Sequence, residues 1–418
     1  MRSRAMPGDR QPAKPADSPS APGLPWGSLL LVLTIVFINF AGFSLIIPLL
    51  PFYGAALGAS PVQITLLFAA YSLGGVFGET QWGRLSDRVG RRPVLIGATA
   101  CAALSYGAFA YAPDLYSALA IRVATGFFSG VMGVCAAYVA DVTQPQQRAR
   151  AMGLIGAALN LGFAIGPAMG GLLATPADGL AGFRLPILVS GAVALGASAW
   201  SVFVLRESHP PGAVRPATDF GAGFRVVGAS PLLARLFAIT FIGIGTFAGM
   251  EAVYGLWTAR NFGWTTHEVG LAFIAVGVAG FTVQVTAIGP ATRRWGEARV
   301  IIAGLCVLAA SMALMPVLRA PWAAVALMAS LMMGHSIAFP SAGGLISRNT
   351  PPAMQGAVNG LSMATNALGR ICLPPLFGAI YAIAPDAPYA AATALVALAV
   401  VIAAQVWRLT SSNQKAGS

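Results

Sequence analysis

The sequence predicts an all-α membrane protein whose twelve transmembrane helices form two pseudo-symmetric six-helix bundles. Three observations carry that prediction. Of 418 residues, 57% are hydrophobic and only 9% charged, whereas a soluble surface needs roughly a quarter of a chain charged. Twelve apolar runs reach the roughly 20 residues that a bilayer crossing takes. Motifs of the first half recur 206 to 207 residues later. This composition excludes an ordinary soluble enzyme, a disordered chain and a nucleic-acid-binding domain. The formal charge of +12 sits mostly in short connectors between the apolar runs, as membrane topology requires. Cys101, Cys135, Cys306 and Cys372 all lie inside apolar runs and offer neither a disulfide framework nor a metal-ligand spacing. With no nucleotide loop, metal cluster or nucleophile triad in the sequence, no cofactor, no metal and no enzymatic activity are expected.

The runs lie near 27–52, 62–83, 94–112, 116–140, 150–174, 184–206, 232–259, 267–290, 298–317, 321–346, 355–383 and 386–408. Residues 1–26 are polar and Pro-rich, and read as a disordered cytoplasmic tail carrying Arg2, Arg4, Arg10 and Lys14. Residues 27–206 form an N-terminal bundle and residues 232–408 a C-terminal one. Between them 207–231, rich in Pro and Gly, is the longest connector and reads as a cytoplasmic linker; 409–418 reads as a second cytoplasmic tail. Most of the 25 Lys and Arg fall on the side of the termini, leaving Arg184, Arg260 and Arg319 on the other. That bias places both termini inside the cell.

The repeat is visible residue by residue. Gly83-Arg-Leu-Ser-Asp-Arg-Val-Gly90 falls over Gly289-Pro-Ala-Thr-Arg-Arg-Trp-Gly296. Thr143, Pro145, Gly153, Pro167 and Gly171 fall over Thr350, Pro352, Gly360, Pro374 and Gly378. Parallel six-helix repeats are a transporter architecture with a substrate path between them near the midplane.

Gly83-Arg-Leu-Ser-Asp87-Arg88-Val-Gly90-Arg91-Arg92-Pro resembles the signature of the major facilitator superfamily between its second and third helices. Gly162-Phe-Ala-Ile-Gly166-Pro167-Ala-Met-Gly170-Gly171 resembles the fifth-helix motif of its drug:proton antiporters. Leu45-Ile-Ile-Pro48, Asp141-Val-Thr143 with Arg148-Ala-Arg150, and Glu207-Ser-His209 are similar to the tetracycline-exporter branch. The resemblance implies the major facilitator fold, a functional monomer in the inner membrane, and a gate in which Asp87 docks on the start of the eleventh helix near Gln355 when the cytoplasmic side closes. A helix N-terminus favours an anion by about 0.3–1 kcal/mol. Asp141 is expected to extend that network through an arginine. Gly83 and Gly90 are expected to make the tight turn. Gly162, Gly166 and Gly170 recur every fourth residue and suit close helix approach, read as a seam between the halves, and Pro167 bends the helix.

Charges at bilayer depth cost about 2.5–3.5 kcal/mol on insertion scales and are functional suspects. Glu251, His335 and Glu79 are the proton-coupling candidates. A carboxyl that alternates between burial and the company of a cation binds and releases a proton, and an imidazole titrates near neutrality. Asn39 stands where related exporters commonly carry an acid, and an amide exchanges no proton. Arg122 biases a neighbouring carboxylate, attracts an anionic group, or snorkels to the outer interface. Arg370, mid-span, is a counter-ion for Glu251 or for Glu79. Phe43, Tyr254, Trp257, Met333 and Phe339, with Asn39, Arg122 and Arg370, are the substrate-path candidates, since an apolar site with few polar groups suits an amphipathic small molecule. The expected function is an exporter of such a compound in exchange for protons. The alternatives are a metabolite or sugar symporter or uniporter of the same fold, and a sensor or scaffold that transports nothing.

Overall fold

The computed structural model describes residues 26–208 and 220–416. The tail with Arg2, Arg4, Arg10 and Lys14, and His209 and Arg215 of the linker, lie outside the described residues. Twelve helices are long and apolar enough to cross a membrane. The first half comprises α1 Trp26–Ile46, α2 Pro61–Val89, α3 Arg91–Ala110, α4 Leu115–Val142, α5 Pro145–Leu173 and α6 Arg184–Val204. The second comprises α7 Pro231–Phe262, α8 Thr266–Thr286, α9 Glu297–Leu314, α10 Pro321–Arg348, α11 Gln355–Ile383 and α12 Ala387–Ala416. No strand occurs among the described residues.

Local chemistry sets the helix ends. Ser60 and Gln63 form a capping box before Pro61 on α2, Thr265 and Glu268 another on α8, and Ser230 caps α7. The turns from α2 to α3 and from the short helix Ile288–Trp295 to α9 pass through Gly90 (φ +102°) and Gly296 (φ +78°), where a side chain would be strained. Gly83, expected to share that turn, instead lies within α2. Its hairpin is made by Gly90 alone.

Other departures from the sequence reading have physical causes. The run 27–52 is two helices, because Pro48 disfavours helix in the residue before it; α1 stops at Ile46 and a short helix, Leu50–Ala56, follows. Helix α4 breaks at Gly130, where a side chain would run into the Gly78–Glu79 backbone of α2. Gly74 and Gly78 of α2 face Val123 and Phe127 of α4, and Gly126 faces Tyr71, so these helices approach to backbone contact. The linker contains a helix, Phe220–Ala229, and α12 runs on to Ala416 in place of the expected tail.

The halves meet where α2 lies on α11 and α5 on α8. The packing repeats with the sequence. Gly162 abuts Phe37 and Ala41 of α1, and Gly369 abuts Phe241 and Gly245 of α7. Gly171 abuts Thr266 and Gly270 of α8, while Gly378 abuts Pro61 and Thr65 of α2. The last pair of contacts joins the halves at the end opposite the termini. There one apolar core, including Leu50, Tyr53, Trp257 and Phe273, runs through both halves, whereas a second core from Leu29 to Leu205 belongs to the first half alone. The outer faces are apolar, with Phe203 and Ile383 each 86% exposed, as contact with lipid permits.

Candidate transport site

At the end carrying the termini, Arg91 is buried and gathers three partners. Its guanidinium pairs with Asp87 at 2.7 Å, reaches Asp141 at 3.5 Å and donates to the Ser86 hydroxyl. The Glu207 carboxylate accepts the backbone N–H groups of Arg91 (2.7 Å) and Arg92 (3.1 Å), placing an anion on the first turn of α3. Arg92 also donates to the Val202 carbonyl at 2.6 Å. Asp87 therefore engages Arg91, not the start of α11, in this arrangement of the halves. In the second half Glu297 pairs with Arg348 at 2.5 Å. These positions lie 206 and 207 residues beyond Arg91 and Asp141, so the clamp repeats with its charges exchanged.

The glycine stripe of α5 has two faces. Gly162, Gly166 and Gly170 pack on Phe37, Ala41 and Leu45 of α1, inside the first half. The Ser44 hydroxyl donates to the Gly162 carbonyl at 3.0 Å. The seam with the other half is made by the adjoining face, where Ala164 meets Gly277, and the Pro167 carbonyl and Gly171 meet Gly270. The expectation that the whole motif forms the seam is corrected accordingly. The four-residue repeat aims one row of glycines at α1, and the residues three to four apart on the neighbouring row meet α8.

Between the halves runs a chain of rings. Phe43 stacks on Tyr71 with centroids 4.4 Å apart, Phe40 lies 5.6 Å from Phe43 and 6.1 Å from Phe163, and Phe163 lies 6.2 Å from Phe273 of the second half. Asn39 borders this chain. Its amide donates to the Ile35 carbonyl at 2.9 Å, and it lines a small cavity of about 40 Å³ with Phe40, Tyr71, Ser129 and Cys135. Arg122 is fully buried and does not snorkel. Its Nε donates to the Leu67 carbonyl at 3.2 Å and its guanidinium lies over Tyr71 (4.7 Å) and Phe109 (5.7 Å). No carboxylate pairs with it among the described residues, so the aromatic faces take the place of the expected acid.

The second half holds the polar cluster. Glu251 is buried on α7, and its Oε1 has no hydrogen-bond partner; the same holds for Thr246 Oγ1 on α7, His335 Nδ1 on α10 and Asn366 Oδ1 on α11. The His335 ring lies between Phe247 (4.3 Å) and Phe339 (4.5 Å). Arg370, one helical turn beyond Asn366, makes no ion pair among the described residues; its neighbour Gly369 abuts Phe241 and Gly245 of α7, and α11 also lies on α2 of the other half. Two path candidates, Met333 and Trp257, are placed elsewhere. Met333 turns to the outside, 38% exposed, because two residues along a helix point away from the inward-facing His335. Trp257 is fully buried and donates to Asp386 at 2.7 Å, with Arg319 on the other carboxylate oxygen at 2.5 Å. Tyr254 donates to the Ala324 carbonyl at 3.2 Å. The Trp257 ring anchors the end opposite the termini, whereas the Tyr254 ring lies 6.2 Å from Phe273 and continues the chain of rings into the second half. The residues that the sequence reading passed over are Tyr71, Phe163, Thr246 and Asn366.

A family model described as Major Facilitator Superfamily matches residues 32–258 and 236–418. Among curated proteins, the class C tetracycline resistance protein of Escherichia coli is 30% identical, over 85% of this chain and 90% of that protein. Multidrug resistance protein 2 of Bacillus subtilis (strain 168) is 27% identical over 84% and 88% respectively. Among solved structures, the nucleoside transporter NupG aligns with a TM-score of 0.74 at 12% identity, covering 90% of this chain and 99% of that one. A bacterial homologue of the human lysosomal transporter Spinster, inward-facing and unoccupied, aligns at 0.71 and 17%, covering 92% and 96%. At those identities the structures speak to the fold.

Proposed function

Because the chain belongs to the Major Facilitator Superfamily, we propose that it is a secondary-active exporter that moves a small amphipathic organic compound out of the cell in exchange for protons. It works as a monomer in the inner membrane, both termini cytoplasmic, and catalyses no covalent step. The relatives named for tetracycline and multidrug resistance support the direction and the class of cargo.

The observation that carries the reading is the station of Arg370 on α11, the helix that packs both on α7 of its own half, which carries Glu251, and on α2 of the other half, which carries Glu79. The contact of α2 with α11 changes as two halves rock, and with it the company that Arg370 keeps. When the cation lies near Glu251, the carboxylate form is favoured; when it is drawn to Glu79, a buried Glu251 does better neutral and takes up a proton. Each turn of the cycle thereby carries a proton one way and cargo the other. Glu251 holds that proton at Oε1 or Oε2, of which Oε1 has no other hydrogen-bond partner. The apolar cargo rests against the rings of Phe40, Phe43, Tyr71 and Phe163, which give stacking area with little polar demand.

The test is a panel of toxic amphipathic compounds on cells with and without the gene, followed by uptake of any protective compound into inverted vesicles. Uptake that requires an imposed pH gradient is expected. Uptake at the same rate without one, sustained by counterflow alone, would make the protein a uniporter and reject the proposal.

A further inference from the structure

At the end carrying the termini, the second half holds a cavity of about 710 Å³ where the start of α7, the turn into α9, and the last turns of α10 and α12 converge. Arg293, Arg299 and Arg348 line it, with Trp295 and Trp407, and its single acid among the described residues is Glu297. Arg348 takes that acid, at 2.5 Å. Arg293 donates only to the backbone carbonyl of Gly289 at 3.2 Å, and Arg299 lies over the Trp407 ring at 5.2 Å. Neither has an acidic partner among the described residues, so the wall carries uncompensated positive charge.

The repeat indicates what that charge is for. In the first half the corresponding place, just past Gly90, is filled by the protein itself: Glu207 lays its carboxylate on the N–H groups of Arg91 and Arg92. The step of 206 to 207 residues that takes Gly90 to Gly296 and Arg91 to Glu297 takes Glu207 to Asn413 and Gln414, which are neutral. Among the described residues the second half thus supplies the cations and the helix start with a single acid, Glu297, which Arg348 already holds. We infer that this cavity binds the headgroup of an anionic phospholipid from the leaflet at that end. Three features of the cavity suit a lipid. The volume is several times what a phosphate needs and suits a headgroup with its glycerol. The cavity opens at the ends of membrane helices, where anionic lipid gathers around clustered arginines. Trp295 and Trp407 are 54% and 38% exposed there, amphipathic rings suited to the boundary between headgroups and acyl chains. This site is separate from the path of Glu251 and Arg370, and stands or falls without it.

Native mass spectrometry of the full chain released from nanodiscs of phosphatidylcholine and phosphatidylglycerol tests it. One retained phosphatidylglycerol, preferred over phosphatidylcholine by about tenfold, is expected. The preference should vanish in Arg293→Gln/Arg299→Gln and persist in Arg84→Gln/Arg206→Gln, which loses the same charge at the same end. Should the first pair fail to fold, brominated phosphatidylglycerol is titrated into the wild type and into Trp295→Phe/Trp407→Phe. The wild type should show an added, saturable quenching at low lipid fraction, over that of the six tryptophans the aromatic variant keeps. An equal loss in both arginine pairs, equal quenching in both proteins, or displacement of the lipid by millimolar inorganic phosphate would overturn the assignment.

Discussion

Arg122 illustrates how a charge is kept inside a membrane helix bundle without an acid. Its planar guanidinium rests on Tyr71 and Phe109 and gives one hydrogen bond to the Leu67 carbonyl. Lysine cannot reproduce that stacking. Arg122→Lys should therefore lower stability by about 1 kcal/mol, read as a drop in melting temperature of the purified protein; an unchanged melt would mean that the rings contribute nothing. Arg370 is argued to act through its charge alone, so Arg370→Lys should keep part of the pH-driven transport that Arg370→Gln abolishes. Equal activity of the two variants in vesicles would remove Arg370 from the coupling. The ionisable members of this site were legible in the sequence because a charge in an apolar run has few innocent explanations. Thr246 and Asn366 were not. A hydroxyl or amide in a helix is commonly satisfied by its own backbone one turn away, as Thr258, Thr240 and Asn39 are here. Only the packing reveals that these two atoms have no such partner.

At the level of elements, glycines decide which helices touch. Gly170 faces the Leu45 carbonyl within the first half, whereas Gly171 faces Gly270 across the seam. Gly170→Val should therefore impair folding, seen as low yield and aggregation on a sizing column. Gly171→Val should yield folded protein that transports poorly. The opposite pattern would reverse the assignment of the two faces. Sequence periodicity found the stripe but could not choose between overlapping rows on one helix, since both meet a neighbour closely. Pro48 and Gly130, which divide apolar runs that read as continuous, were hidden for a related reason: hydropathy counts side chains and is blind to the backbone. Helix starts were plainer. Asp114 caps α4 by accepting the Ser117 N–H at 2.9 Å and the Ser117 hydroxyl at 3.0 Å, and these bonds hold its carboxyl below the ordinary carboxylate range. A group whose folded value is depressed stabilises the fold above its unfolded value, and that contribution is lost as pH falls through the folded one. The melting temperature of Asp114→Ala should accordingly lie below wild type at pH 7 and converge with it in acid; a gap that widens on acidification would refute the cap.

For the whole molecule, the two halves share one apolar core at the end opposite the termini, and at the other end hold themselves together with clamps of exchanged charge, Arg91 with Asp141 and Glu297 with Arg348. Asp87 is bound to Arg91 in this arrangement, and the proposed rocking of the halves requires it to change partner. Asp87→Asn should slow turnover while leaving cargo affinity unchanged, and turnover at the wild-type rate would dismiss the latch. The two-bundle plan could be read from the sequence because each half repeats its turn motif and its glycines. How the bundles lean on each other was not, since that depends on backbone contacts at Gly171 and Gly378 that no hydropathy pattern encodes.

In the proposed cycle Glu251, exchanging Arg370 for a proton, links the tilt of the halves to the pH gradient. Proteoliposomes loaded with a pH-sensitive dye measure this directly when a compound the protein exports is added on one side. The wild type should move protons against the compound's flow and Glu251→Gln should move none, while still exchanging labelled for unlabelled compound. Proton movement at the wild-type rate in Glu251→Gln would contradict the account.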